Sequence, residues 1–262
     1  MKNLTTLLLL LALLPARAQP VVEQRIFTGK NGTVLPYRIV YPADYDRSRQ
    51  YPLLLFLHGA GERGSDNEKQ LTHGASLFLA DSNRTRFPAI VVFPQCPAGG
   101  YWSSVQIDRS RQPITFTYAY RKAPMTAPLK TALELVDQLT RTERVDKNRL
   151  YIMGLSMGGM GTFEAVSRQP RRFAAAIPIC GGGDTTFVRR YARRLPLWVF
   201  HGDADAVVAV DYSRQMVAAL NREKANVTYT EYRGVNHNSW DRAFREPNLL
   251  PWLFAQHRRS KR

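Results

Sequence analysis

Cysteine is scarce. Cys96 and Cys180 are the whole complement of this 262-residue chain. A disulfide-dense scaffold is therefore excluded. Acidic residues are also in the minority, 21 against 37 Lys and Arg, for a formal net charge of +16. No nucleic-acid-binding motif accompanies that charge. It implies either attraction to anionic surfaces, such as lipopolysaccharide or acidic polysaccharide, or simply a basic protein with no acidic partner; the second is preferred. Beyond the N-terminal run Leu7–Leu14, no stretch approaches the roughly 20 apolar residues of a membrane-spanning helix. Repeats, low-complexity segments and a dividing linker are missing too. No spacing groups the three or four side chains that a metal site needs.

The N-terminus has the anatomy of a secretory leader. Met1-Lys2-Asn3 carries a positive charge, Leu7–Leu14 is uninterrupted apolar sequence, and Pro15-Ala16-Arg17-Ala18 ends in an Ala-x-Ala pattern. Residues 1–18 are read as a signal peptide and residues 19–262 as a single domain. The run is too short to span a bilayer, and no Cys follows it to carry a lipid. Export to the periplasm or the extracellular space is expected.

Along the remaining chain, Val22–Thr28 and Val34–Tyr41 read as a hairpin around Asn31-Gly32. Continuous apolar runs follow at Tyr51–Leu57, Ala89–Phe93, Tyr151–Met153, Phe173–Ile179 and Leu197–Phe200, with a last strand at Val227–Tyr232. Such runs suit strands buried on both faces. Helices are expected at Lys69–Ala80, Thr126–Arg141, Met160–Val166, Val210–Asn221 and Leu249–Gln256; Asp81–Arg86 reads as a polar turn. Strands alternating with helices predict an α/β fold, a mostly parallel sheet of about eight strands covered on both faces. The aromatic-rich segment Ala98–Pro124 has no regular pattern, and a loop of that length is expected to be functional. No large insertion lies between Ile179 and Leu197 to form a lid, so an open site is expected. Cys96 and Cys180 close two strands with two others between them. At about 4.8 Å per strand they stand about 14 Å apart, beyond disulfide reach. Two buried thiols are expected.

The chemistry-bearing residues cluster just after strand ends, the edge where open α/β sheets bind ligands. Gly154-Leu155-Ser156-Met157-Gly158 has a strand before it and a helix after it, the context of a nucleophile elbow. A serine hydroxyl needs a base, and the base a carboxylate that sets its tautomer. Of five histidines, His58 and His201 precede Gly at strand ends and are expected to brace loops. His73 falls in a predicted helix and His257 in the basic tail. His237 follows the last strand and is the candidate base. Asp205 is preferred over Asp203 as the acid, with Asp203 expected to bond backbone amides in its own turn. The order Ser156, Asp205, His237 is that of α/β-hydrolases. Backbone N–H groups of Met157 and Ala60 are the candidate oxyanion donors. Trp102 and Trp240 are candidates either for the pocket wall or for ordinary packing. Glu62 is a candidate pocket residue, paired with Arg63 to brace the oxyanion loop.

The segments 51–64, Pro-Gln-Cys-Pro (94–97), 154–162, Ile-Cys-Gly-Gly-Gly-Asp (179–184), His-Gly-Asp-Ala-Asp (201–205) and Asn-His-Asn-Ser-Trp (236–240) together resemble a known group. It is the secreted esterase group often labelled "predicted peptidase". It is similar to the dienelactone-hydrolase, feruloyl-esterase and polyhydroxybutyrate-depolymerase branch of the α/β-hydrolases. The resemblance covers nearly all of the chain after the leader. It implies Ser156 as nucleophile, Asp205 as acid and His237 as base, with no cofactor. The expected activity is that of an exported serine carboxylesterase acting on short acyl or aromatic esters, either small molecules or groups linked to polysaccharide. A serine peptidase of the same fold is the alternative enzyme. A catalytically inactive binding module is the alternative outside enzymes.

Overall fold

A computed structural model describes residues 22–111 and 114–258. The predicted leader lies outside the described residues. The order begins with a hairpin, β1 (Val22–Thr28) and β2 (Val34–Val40), then β3 (Tyr51–Leu57). Short helices α1 (Ala75–Leu79) and α2 (Asp81–Arg86) lead to β4 (Ile90–Pro94). A separate hairpin, β5 (Val105–Asp108) and β6 (Thr115–Tyr118), precedes α3 (Ala127–Thr142). Then come β7 (Val145–Leu155), α4 (Met157–Arg168), β8 (Ala175–Ile179), β9 (Leu197–Gly202), α5 (Asp211–Arg222) and β10 (Val227–Tyr232). Two short helices, α6 (Trp240–Ala243) and α7 (Leu249–Phe254), follow.

The main sheet has eight strands in the order β1-β2-β4-β3-β7-β8-β9-β10. Its first two pairings are antiparallel, and β4 through β10 run parallel. The apolar runs explain the order. β3, β4, β8 and β9 are buried at every position, so each must be covered on both faces. Each such aliphatic or aromatic side chain contributes about 1.5–3 kcal/mol on burial. β1 alternates half-buried and exposed residues, as an edge strand does. One core cluster holds Leu53, Leu55, Ile152 and Val199 with Leu133 and Val136 of α3; the other holds Leu54, Phe56, Tyr151 and Phe200 with Leu250 and Leu253 of α7. The alternation along β3 thus separates the two faces. Thr126 caps α3 by accepting from Leu129 N–H, with Pro128 in the first turn.

Three expectations are corrected. The stretch read as one helix over 69–80 breaks at Gly74, whose φ of +82° is left-handed, so only Ala75–Leu79 is α-helical. The polar turn at 81–86 is α2. The irregular segment 98–124 contains the β5–β6 hairpin, a second sheet. That hairpin is held from a distance: Phe116 N–H donates to Tyr212 Oη of α5 at 2.7 Å. Its root is held by Glu164 of α4, which accepts from Ser103 Oγ, Ser104 N–H and Ser104 Oγ at 2.6–2.8 Å. Cys96 and Cys180 are free and buried, as the strand count predicts. Among the described residues no helix is long and apolar enough to cross a membrane.

Candidate active site

The turn from β7 into α4 places Ser156 at φ 53° and ψ −116°, a strained conformation for a residue with a side chain. Close backbone approach creates it. A Cβ on Gly158 would sit 1.9 Å from Leu57 O, and one on Gly154 would sit 2.4 Å from Gly158 O. No side chain fits either gap. The turn is fastened by Ser156 N–H donating to Ile179 O at 2.9 Å. Met157 opens α4, where helix amides lack an intrahelical acceptor.

The residues predicted from three distant strand ends meet at this turn. His237 Nε2 lies 2.9 Å from Ser156 Oγ, and His237 Nδ1 lies 2.8 Å from Asp205 Oδ2. Asp205 has a fully buried side chain, whereas that of His237 keeps 19% exposure. Asp205 Oδ1 accepts the N–H groups of Val207 and Val208 at 2.8 Å each. Burial alone raises the Asp205 pKa, but hydrogen bonds with His201 and His237 outweigh it and hold the carboxyl well below the usual carboxylate range. Asp205 is therefore anionic at neutral pH. In that state it accepts Nδ1–H of His237 and leaves Nε2 free to take a proton from Ser156.

His201 and His58 brace loops. His201 Nε2 lies 2.8 Å from Val208 O and 3.2 Å from Asp205 Oδ2, and Nδ1 lies 2.7 Å from Ser213 Oγ. It supports the acid loop from below. His58 joins the Gly59–Gly61 loop to the end of β4: Nδ1 lies 2.6 Å from Gly59 O, and Nε2 accepts Cys96 N–H at 2.9 Å. Asp203 does bond a backbone amide, but in the His237 loop, accepting Gly234 N–H at 2.6 Å. Asn236, which sequence reasoning passed over, straps the two loops together. Its Oδ1 accepts Ala206 N–H at 3.0 Å and His237 N–H at 2.8 Å.

A cleft opens over Ser156. Its floor and one wall are Gly59, Ala60, Gly61, Glu62, Leu155 and Ser156. Its other wall includes Tyr101, Ile114 and Phe116 around the β5–β6 hairpin, with Val208. His73, His237 and Trp240, with Arg109 and Val207, complete it. The segment between Ile179 and Leu197 contributes no lining residue; the overhang comes from the hairpin instead. Trp240 lies between His73, at 5.1 Å between ring centroids, and His237, at 5.3 Å. Trp240 is thus a wall residue. Trp102 is not: it is fully buried, packed edge-on to His58 at 5.3 Å and against Gly161 of α4. Its role is packing. Arg63 does not pair with Glu62. It braces the loop alone, donating from Nε to Ala60 O at 2.9 Å and from Nη1 to Gly100 O at 3.2 Å. Glu62 lines the cleft, as expected of a pocket candidate. His73 was hidden by its place in a predicted helix; the break at Gly74 is the signal that frees it.

Sequence spacing groups no metal ligands, yet the fold brings the Cys180, Asp205 and His237 ligand atoms within 4.8 Å of one another. Asp205 and His237 are hydrogen-bonded to each other there, and burial raises the Cys180 thiol pKa far above its ordinary value.

Known proteins resemble this chain in sequence and in fold. A family model described as Phospholipase/Carboxylesterase matches residues 44–247. The crystal structure of a thermostable esterase superposes with a TM-score of 0.82 at 38% identity, covering 91% of this chain and 64% of that one. A bifunctional acetylxylan esterase/xylanase of Neocallimastix patriciarum is 28% identical over 157 residues, 60% of this chain and 20% of its own length. A probable carboxylesterase of rice (Oryza sativa subsp. japonica) is 26% identical over 209 residues, 73% of this chain and 83% of that protein. The chain thus spans a fifth of the fungal relative it matches. The match over 44–247, the eight-stranded sheet and the elbow at Ser156 lead to one conclusion: the chain belongs to the phospholipase/carboxylesterase family of the α/β-hydrolase fold.

Proposed function

We propose that this protein is an exported serine carboxylesterase that hydrolyses short acyl or aromatic esters, including esters carried on polysaccharide. The observation that carries the reading is the continuous hydrogen-bond chain Ser156–His237–Asp205, at 2.9 and 2.8 Å. His237 Nε2 takes the Ser156 proton as Oγ attacks the ester carbonyl. The N–H groups of Ala60 and Met157 receive the oxyanion. His237 then gives its proton to the leaving alcohol, and the acyl group stays on Ser156 Oγ. Water, deprotonated by His237, attacks the acyl-enzyme and releases the acid. Each oxyanion donor contributes about 3–4 kcal/mol to the transition state. The chemistry assigns no step to a cofactor. Acetylxylan esterase and carboxylesterase relatives support ester substrates, and the leader read over residues 1–18 supports export.

An ester panel tests this reading. Acetyl and feruloyl esters are expected to be turned over. Palmitoyl esters and a peptide anilide are expected to remain at background, since the cleft is walled by the short β5–β6 hairpin. Turnover of the anilide faster than of any ester would replace the esterase by a peptidase.

A further inference from the structure

Glu62 is an expensive residue for its position. It is only 9% exposed, it lines the cleft that holds Ser156, and its Oε2 is enclosed with no hydrogen-bond partner. The imidazole nitrogens beside it are out of hydrogen-bond range: His73 Nε2 lies 3.7 Å from Oε1, and His58 Nδ1 lies 4.0 Å from Oε2. The Nδ1 proton of His58 is already directed to Gly59 O. A buried carboxylate without donors is costly. The main chain nonetheless holds it there, since Gln95 Nε2 donates to Glu62 O at 3.1 Å. Oε2 is closed to solvent, so the oxygen a bound donor can reach is Oε1, which no described residue hydrogen-bonds.

Its place in the cleft says which half of the substrate meets it. The leaving oxygen must sit within hydrogen-bond reach of His237 Nε2 to be protonated. Trp240 adjoins His237, His73 adjoins Trp240, and Glu62 adjoins His73. The wall that continues outward from the leaving oxygen is thus an aromatic ring, an imidazole and an unsatisfied carboxylate. The hairpin side of the cleft, with Tyr101, Ile114, Phe116 and Val208, is apolar apart from Arg109 in the hairpin turn, and suits an acyl group. A flat apolar ring face beside hydrogen-bond acceptors fits a pyranose, whose C–H groups pack on the aromatic face while its hydroxyls donate to the carboxylate.

We infer that Glu62, with Trp240 and His73, forms a subsite for the alcohol half of the substrate, and that this half is a sugar ring bearing free hydroxyls. The inference rests on the esterase reading for the direction of the leaving group. Glu62 accepts hydroxyl protons and orients the ring; it takes no part in bond breaking.

Two measurements test it. In the first, kcat/KM is compared for a mono-acetylated methyl β-xyloside and for p-nitrophenyl acetate, which share the acyl group. In Glu62→Gln the ratio of the first to the second is expected to fall at least about tenfold, because a site built for a hydroxyl loses its charged acceptor. Glu62→Asp is expected to restore part of it. An unchanged ratio overturns the assignment. In the second, methyl β-xyloside is titrated into the wild-type protein and binding is followed by tryptophan fluorescence. Saturable binding, weakened at least about tenfold in Glu62→Gln, is expected. No binding to the wild type overturns the subsite even if the variant fails to fold. A protein that binds the sugar but hydrolyses no ester refutes the esterase reading and keeps the sugar site. One that hydrolyses p-nitrophenyl acetate with neither sugar effect refutes the sugar site alone.

Discussion

Ser156→Ala is expected to slow p-nitrophenyl acetate hydrolysis on the order of 10⁴- to 10⁶-fold, the range seen when a nucleophile is removed from a triad. The thermal midpoint is expected to stay near that of the wild type, for reasons visible at the elbow. Alanine has the same backbone restrictions as serine, so the turn at φ 53° costs no more than before. The Oγ atom has one side-chain partner, His237 Nε2. That imidazole keeps 19% exposure, so water can replace the lost contact. The strain is imposed by the main chain, through Gly154 and Gly158 against Leu57 and by the bond from Ser156 N–H to Ile179 O. Activity and stability are therefore separable at this position. A steady-state assay beside a melting curve checks both. Wild-type rates in the variant would remove Ser156 from the chemistry.

Acid is expected to destabilise the fold through His58 between about pH 6.5 and pH 4. Burial lowers the His58 pKa from its ordinary 6.5 to about 4, against the opposing effect of its bond to Gly59. The geometry gives the cause. Nε2 accepts Cys96 N–H, so a proton added there would face another N–H in a site closed to solvent. Between the two pKa values the unfolded chain holds a proton at this residue that the folded chain does not. Stability from this group is thus complete above about pH 6.5 and is lost as pH falls, by about 3 kcal/mol in total. Other groups titrate in the same range, so the useful quantity is the gap in unfolding free energy between wild type and His58→Gln. That gap is expected to narrow by roughly 2–3 kcal/mol between pH 7 and pH 4.5. A constant gap would contradict the neutral, buried imidazole. Because His58 ties the Gly59–Gly61 loop to the end of β4, the same titration is expected to loosen the candidate oxyanion donor Ala60.

The parts of this protein that were legible in its sequence are those where one residue type answers one physical demand. β3 and β9 read as central strands because each is apolar at positions that must be covered on both faces. Ser156 was legible because only glycines fit beside it, and Asp205 and His237 because each follows a strand that ends at the same sheet edge. The illegible parts depend on partners far away in the chain. Strands β5 and β6 are too short for their alternation to stand out. They are fixed by Tyr212 and Glu164, which lie tens of residues further on. Glu164 looks like an ordinary helix surface charge with Arg168 one turn on, yet it is fully buried under the root of the hairpin. Trp102 and Trp240 are alike in sequence terms, and only the packing of α4 sends one into the core and the other to the cleft. His73 was lost to a helical pattern that one left-handed glycine interrupts.

The central claim is that Ser156 is a nucleophile activated by His237 and Asp205. Its most direct test is covalent capture: incubation of the folded protein with a fluorophosphonate probe, followed by peptide mass mapping. A single adduct is expected, on Ser156, and it is expected to be lost when His237 is replaced by Ala. A protein that remains unlabelled, or that carries the adduct on another residue while hydrolysing esters, would contradict it.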